Sequence, residues 1–567
     1  MHYMALVSDY DGTLAADGVV DGATLDALER LRQSGRMLVL ATGRELDDLL
    51  RICPRIDLFD RVVAENGALL YRPQGRETRL LADPPPAAFV ERLRQEGVTP
   101  LSVGSVIVAT WQPNETIVLK AIRELGLELQ IIFNKGAVMV LPPGINKSTG
   151  VSAALAEIGL SPHNAVGIGD AENDHAFLGL CGCSVAVQNA LPVVKESADL
   201  VTRRPRGAGV AELIGRLLAD DLASLDAKAI RRGVLLGRQK GGEPFLLPGR
   251  GGKVLLTGTS GAGKSTLTAG LLERLAEESY QFCVVDPEGD YEAAAGALVI
   301  GDGDQPPAAH KVVDLLERPG QSVVVNLLAI KLPDRPPFLA ELLAALRQLR
   351  LRKARPHWVF IDEAHHMLPP EWQPVHELPV MWPGTFLITV HPDRIAAPAA
   401  AEVDTLLVLG QSVAETIARF RSRAGWPQLA EPPIPDPGEV LLFRRDTAGA
   451  TRLEVIPPKA TRRRHLRKYA EGKLGDDKSF YFRGPDGRLN LRAHNLELFV
   501  QMADGIDDAT WLFHLRAGDY ARWFRDAIKD EGLAAVAAGL EARPDIDASQ
   551  SRKRIREAIE QRYTASA

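Results

Sequence analysis

The sequence predicts two successive α/β domains followed by a mostly helical one. Three observations carry that expectation. A short apolar run, Ala5 to Ser8, ends in Asp9-Tyr10-Asp11-Gly12-Thr13. A second apolar run, Val254 to Leu256, opens into Gly258-Thr259-Ser260-Gly261-Ala262-Gly263-Lys264-Ser265-Thr266 and then a helix-forming stretch from Leu267 to Glu278. Beyond Pro458, Leu496, Phe499, Val500, Trp511, Leu515, Tyr520, Trp523, Phe524 and Ile528 recur at spacings that suit packed helices.

Length and composition set the outer bounds. A chain of 567 residues is too long for a single core, so about three domains are expected. Its hydrophobic share of 46% and charged share of 25% are those of ordinary globular proteins. A net charge of −6 gives no global signature of nucleic-acid binding. Cys53, Cys181, Cys183 and Cys283 are too few for a disulfide framework, and the C-x-C pair beside Leu180 and Val185 reads as small buried residues rather than a metal pair. The apolar start stops at Asp9, too short for a signal peptide, and no run approaches a membrane span. A cytoplasmic protein with no membrane contact is expected.

In the first domain, two carboxylates two residues apart at the carboxyl end of a strand can converge on one ion, at the edge where open α/β sheets bind ligands. Met37 to Leu40 reads as a second strand, ending in Ala41-Thr42-Gly43-Arg44. Lys147 follows in Asn146-Lys147-Ser148-Thr149-Gly150, and Val166-Gly167-Ile168-Gly169-Asp170-Ala171-Glu172-Asn173-Asp174 brings two more carboxylates. These four motifs, in this order, resemble the haloacid dehalogenase-like hydrolases. Ala64-Glu65-Asn66-Gly67-Ala68 and Val185-Ala186-Val187-Gln188-Asn189-Ala190 resemble that family's Cof-type branch. The resemblance implies a Rossmann-like domain over 1–228 with a small α+β cap at about 83–143. Two helices (Ala87 to Glu96, Val118 to Leu125) and strands around Val106 to Thr110 and Ile131 to Phe133 are expected in that cap. It is short for the branch, which leaves the substrate open.

The same resemblance implies phosphoryl transfer through an aspartyl phosphate. Asp9 would be the nucleophile and Asp11 the general acid and then base, with Thr42 and Lys147 neutralising the transferring phosphoryl group. Mg²⁺ would be held by Asp9, the backbone carbonyl of Asp11 and Asp170, with Asp174 in support.

The second glycine-rich run matches G-x-x-x-x-G-K-[ST] in full between a strand and a helix. Gly258, Gly261 and Gly263 let the backbone wrap phosphates, Lys264 reaches the β- and γ-phosphates, Ser265 holds Mg²⁺, and Thr266 is expected in the same nucleotide-binding set. Strands are expected at Phe282 to Val285, Val323 to Leu327, His357 to Ile361 and Thr385 to Ile388. The third of these ends in Asp362-Glu363, the expected partner of the loop: Asp362 for Mg²⁺ through water, Glu363 to polarise the attacking water. Thr389, at the end of the fourth, is placed to sense the γ-phosphate. Asp286-Pro287-Glu288-Gly289-Asp290-Tyr291 and Thr389-Val390-His391-Pro392 resemble the HerA/FtsK-type ATPases, with Val390 where that family has glutamine. The resemblance implies a P-loop α/β domain over 229–457 that hydrolyses ATP in a homo-oligomer, a hexameric ring, completed by an arginine from a neighbour. Arg394, Arg419, Arg421 and Arg423 are candidates.

The remaining 458–567 segment is read as a helical accessory domain. Its basic run, Arg462 to Lys468, reads first as a solvated face and second as a contact for nucleic acid. His514 and the aromatics read as core. The whole is expected to be a Mg²⁺-dependent phosphomonoester hydrolase, acting on a phosphorylated small molecule or nucleic-acid end, fused to an ATP-hydrolysing unit. The alternatives are a polynucleotide kinase and 3′-phosphatase, against which Glu363 argues, and a DNA-translocating ATPase that uses the first domain as a scaffold.

Overall fold

Apolar runs without alternation belong to parallel strands covered by helices on both faces, and the chain uses them so in two sheets of the computed structural model. The structure describes residues 1–225, 233–249, 251–291, 294–372, 381–427, 432–447, 449–459, 469, 474, 478–487, 489–528 and 530–563. The expected boundary near 229 and the basic run Arg462 to Lys468 lie outside the described residues.

In the first sheet the order runs Leu200–Val201, Cys183–Ala186, Ala165–Gly169, Ala5–Asp9, Met37–Ala41, Arg61–Ala64, Leu69–Arg72, Glu77–Leu80. The first six strands are parallel and the last two antiparallel. Ala5–Asp9 is central and buried throughout, and its register sets Asp9 beside Ala41. The closing helix spans Arg206–Asp220. It stops because Asp221, at φ 57°, turns its carboxylate onto the N–H of His2 and the guanidinium of Arg36.

The cap has its own core and its own antiparallel sheet, Ser102–Val103, Val108–Trp111, Ala137–Leu141, Gln130–Asn134 in that order. Helices Ala87–Gln95 and Glu115–Glu124 cover it through Phe89, Leu93, Val118 and Ile122. The sequence reading missed two of these strands. The longer, Ala137–Leu141, forms a hairpin with Gln130–Asn134 through Lys135-Gly136, both at positive φ, the geometry of a two-residue type I′ turn.

The second sheet is ordered Pro244–Pro248, Gly233–Arg238, Ala450–Val455, Glu439–Arg444, Thr405–Leu409, Lys253–Gly258, Thr385–Thr389, Trp358–Ile361, Phe282–Asp286, Val323–Asn326, Leu298–Ile300. Thr405–Leu409 through Leu298–Ile300 are parallel; the other four extend one edge in antiparallel fashion.

After it come a ribbon (Phe480–Phe482 with Leu491–Ala493) and helices Leu496–Gly505, Asp508–Arg516, Asp519–Asp526, Glu531–Glu541 and Ala548–Tyr563. Asn495, Asp507 and Asp530 each cap a helix by accepting an N–H three residues on. Phe480, Phe499, Trp511, Tyr520 and Trp523 pack as one aromatic cluster. Among the described residues no helix is long and apolar enough to cross a membrane.

The two α/β units meet at a polar, buried seam. Arg355 and Lys353 donate to the carbonyls of Gly159 and Ile158. His357 Nδ1 accepts the N–H of Gln281, which leaves Nε2 as the donor to Asn164 Oδ1 at 3.1 Å. Asn164 Nδ2 in turn donates to the carbonyls of His2 and Ala354. Replacing Asn164 with alanine strands the buried His357 Nε2 and Ala354 carbonyl and removes the bond to His2. We expect Asn164→Ala to lower stability by about 2 to 4 kcal/mol, read as an earlier first transition in urea unfolding; an unchanged transition refutes the seam's contribution.

Candidate active sites

The carboxyl ends of Ala5–Asp9 and Ala165–Gly169 lie side by side in register, and this adjacency builds the first site. Helix Lys147–Glu157 starts there, fixed by a capping box between Asn146 and Thr149. Lys147, 1% exposed, puts Nζ 2.5 Å from Asp9 Oδ1 and 2.6 Å from Asp174 Oδ1. The other oxygen of Asp174 accepts the N–H groups of Asp170 and Ala171. Asp170 accepts Thr13 Oγ1 at 3.2 Å. Gly12, at φ 86°, is required where it stands: a Cβ there would lie 2.5 Å from Asp170 Oδ2. Thr42 follows the neighbouring strand, buried, its hydroxyl accepting the N–H of Arg44.

Charge defines the chemistry of this pocket. Burial, then Asp174, push the Asp9 carboxyl up to about 8, against the pull of Lys147. Burial likewise raises Asp170, opposed by Lys135. Burial would discharge Lys147, but Asp174 and Asp9 overcome it and hold its ammonium protonated. Carboxylate oxygens of Asp9, Asp170 and Asp174 come within 4.8 Å of one another. Three buried carboxylates around one buried ammonium leave an excess of negative charge and an all-oxygen donor set, which fits a hard divalent cation such as Mg²⁺.

Two contacts here were not legible in sequence. Lys135, on the cap's hairpin turn, reaches Asp170 Oδ2 at 2.7 Å. Arg44 grips both oxygens of Asp11, at 2.6 and 2.7 Å, so the Asp11 side chain stands outside the Asp9–Asp170–Asp174 cluster. Glu65 ties the cap down by accepting the N–H groups of Ser105, Val106 and Ile107. Gly67 packs where a Cβ would meet the Asn146 carbonyl at 1.9 Å. The Glu65-Asn66-Gly67 motif therefore locks cap, core and the Lys147 helix together.

The second site lies at the end of Lys253–Gly258. Gly258, at φ 150°, passes so close to the Leu409 carbonyl that a side chain would clash at 2.3 Å. Lys264 begins helix Lys264–Glu277 and turns its Nζ onto the carbonyls of Gly258 and Thr259, at 3.0 and 2.9 Å. A cavity of about 430 Å³ opens beside it, lined by Gly261, Gly263, Lys264, Ser265 and Thr266 on one wall and by Asp362 and Glu363 on another. Asp362 is buried and accepts the N–H of Glu363; burial and the Glu363 charge raise its carboxyl well above the usual range. Glu363 itself holds a left-handed backbone, φ 42°, a strained conformation for a non-glycine residue.

Thr389 requires a correction. Strand alternation turns Ile388 and Val390 to the cavity and Thr389 away from it. Its hydroxyl is shared by His365 Nδ1 and the N–H of His391, each at 3.0 Å. Burial and His366 push His365 down to about 3, so it meets Thr389 and Glu363 as a neutral ring. Of the four candidate arginines none lines the cavity, and Arg419 is paired with Glu415.

Glu288 and Asp290, from the Asp286-Pro287-Glu288-Gly289-Asp290-Tyr291 element, also line the cavity, as do Tyr469, Ile528, Asp530 and Tyr563 of the carboxy-terminal unit. Among the described lining residues, five carboxylates face a single basic side chain, Lys264. His514, read from sequence as core, is core: Nε2 accepts the N–H of Arg483, and Nδ1 meets Asp519.

Comparison with known proteins identifies the two α/β units. Residues 249–383 match the family model of an AAA domain, so the second unit is an AAA-type P-loop domain. Residues 6–93 and 113–214 match that of the haloacid dehalogenase-like hydrolases. A solved haloacid dehalogenase-like hydrolase from Bacteroides thetaiotaomicron is 21% identical, pairing 38% of this chain with 99% of its own at a TM-score of 0.34. A phosphoglycolate phosphatase of Methanothermobacter thermautotrophicus is 30% identical over 225 residues, 38% of this chain and 98% of the relative. One from Haloarcula marismortui is 31% identical over 219 residues, 37% of this chain and 95% of the relative. Through its amino-terminal unit the chain belongs to the haloacid dehalogenase-like hydrolases.

Proposed function

We propose that this protein is a Mg²⁺-dependent, Cof-type phosphomonoester hydrolase fused to an ATP-hydrolysing unit of HerA/FtsK type, with units at 1–228, 229–457 and 458–567. The observation that carries the first half is the buried constellation of Asp9, Lys147, Asp170 and Asp174. Asp9, Asp170 and Asp174 would hold Mg²⁺, with the Asp11 carbonyl, and the ion supplies the positive charge that lets carboxylates and a phosphate dianion share one site. Asp9 attacks phosphorus, the ester oxygen departs with a proton from Asp11, and a water deprotonated by Asp11 then cleaves the aspartyl phosphate. Asp11 reaches the leaving oxygen once its paired contact with Arg44 opens. Thr42 and Lys147 bind the phosphoryl oxygens, Lys147 with a charge that its buried partners preserve.

The substrate class we infer is a small phosphorylated carboxylic acid. The relatives matched over nearly their whole lengths are phosphoglycolate phosphatases, and Lys135 of the cap is a half-exposed cation at the mouth of the site. In the P-loop unit, Lys264 and Thr266 face the phosphates, Ser265 and Asp362 the accompanying Mg²⁺, and Glu363 the attacking water.

Asp9→Asn should reduce turnover of phosphoglycolate and of an aryl phosphate by roughly 10³-fold or more, with the circular dichroism spectrum unchanged. EDTA should abolish wild-type turnover and Mg²⁺ restore it. Retained activity in Asp9→Asn rejects the assignment.

Lys264→Ala should lose ATP hydrolysis, and Glu363→Gln should bind ATP without cleaving it. Both should keep small-substrate phosphatase activity within about twofold of wild type, because the two sites lie on separate sheets. A folded Lys264→Ala protein without phosphatase activity would instead reveal one composite site.

A further inference from the structure

Resting on the reading of the P-loop cavity as a nucleoside triphosphate site, its carboxy-terminal wall has a specific chemistry. Asp530 and Tyr563 line the cavity together with Lys264, Asp362 and Glu363, the groups that address the terminal phosphate and its attacking water. Arg562 donates Nη1 to Asp530 at 3.1 Å, and Tyr563 donates Oη to the other carboxylate oxygen, also at 3.1 Å. A second cation of the same unit, Lys478, rests on Glu288. So the helical unit sets a cation on each of two carboxylates of the cavity wall.

Among the described lining residues, a triphosphate entering this cavity meets the carboxylates of Glu288, Asp290, Asp362, Glu363 and Asp530 and the ammonium of Lys264. A triphosphate carries more negative charge than Mg²⁺ and one lysine neutralise, and a guanidinium is the side chain best shaped to chelate phosphate oxygens. Asp530 now occupies, toward Arg562 and Tyr563, the acceptor role a terminal phosphate oxygen would fill. We propose that Arg562 and Tyr563 are phosphate-binding residues of the nucleotide site, supplied by the same chain, and that Asp530 holds them until the γ-phosphate takes its place. The site is then completed in cis.

The proposal makes two predictions of opposite sign within one hydrogen-bonded trio. Arg562→Gln and Tyr563→Phe should each weaken Mg·ATPγS by about tenfold and Mg·ADP far less, measured by titration calorimetry on the full chain. Asp530→Asn should tighten Mg·ATPγS, because it removes the competing charge; asparagine is as good a helix cap as aspartate, so the Leu533 N–H stays satisfied. Lys264→Ala, losing both nucleotides, marks the underlying site. If wild type binds neither nucleotide, the P-loop reading itself falls and this inference with it. If wild type binds but Arg562→Gln and Asp530→Asn match it, or if Asp530→Asn weakens ATPγS as Arg562→Gln does, the trio is a structural strut and the proposal is overturned.

Discussion

Lys147 carries its charge where almost no water reaches it, and the first half of the molecule is arranged around keeping it there. An ammonium so buried loses its proton unless anions stand against it; Asp9 does so from the end of its strand and Asp174 from the short helical turn that follows the neighbouring strand. The three charges cannot be assembled locally: they lie 138 and 27 residues apart in the chain. They come together because Ala5–Asp9 and Ala165–Gly169 pair in parallel and the Asn146 capping box aims the helix at their ends. Removing one partner would leave the others buried and unbalanced, a cost of several kcal/mol. The fold thus positions the charges, and the charges in turn demand the fold.

That dependence explains what the sequence made legible. Asp9, Thr42, Lys147 and Asp170 each follow a strand or open a helix, where backbone geometry allows few alternatives, so motif and position agree. The P-loop was readable for the same reason: Gly258 and Gly263 answer to contacts and φ angles that other residues cannot meet. Lys135 was not readable, because it sits on a cap turn and acquires its meaning by reaching Asp170 across 35 residues. The Arg44–Asp11 clasp was hidden too, although both residues belong to recognised motifs, since no spacing rule tells which side chains will turn to each other. Thr389 shows the opposite failure. Its place at a strand end suggested a sensor, but the two-residue alternation gives the cavity Ile388 and Val390, and His365 claims the hydroxyl.

The carboxy-terminal unit was the least legible part, and its packing shows why. Helix-spaced aromatics announce a core, and Phe480, Trp511, Tyr520 and Trp523 form one. Which surface of such a bundle faces a neighbour depends on contacts with no local signature. Lys478 on Glu288 and Tyr563 at the cavity wall are of this kind. A segment that read as an appendage proves to form part of the wall of the P-loop cavity.

The same logic of strand ends joins the two α/β units. Strand Trp358–Ile361 leads to Asp362 and Glu363 at one end, while at the other Arg355 and His357 are fixed to Gly159 and Asn164 of the hydrolase unit. The distance between those anchors is roughly 17 Å, five residues of extended chain. The strand cannot slide alone, because Phe282–Asp286 and Thr385–Thr389 bond it on both sides. Displacing Asp362 along the strand axis would therefore require moving the sheet, and the sheet's base is held by hydrogen bonds to the loop that follows helix Lys147–Glu157, whose first residue is the buried lysine. The physical path from one site to the other is thus short and built of stiff elements: a strand, a buried polar seam and one helix.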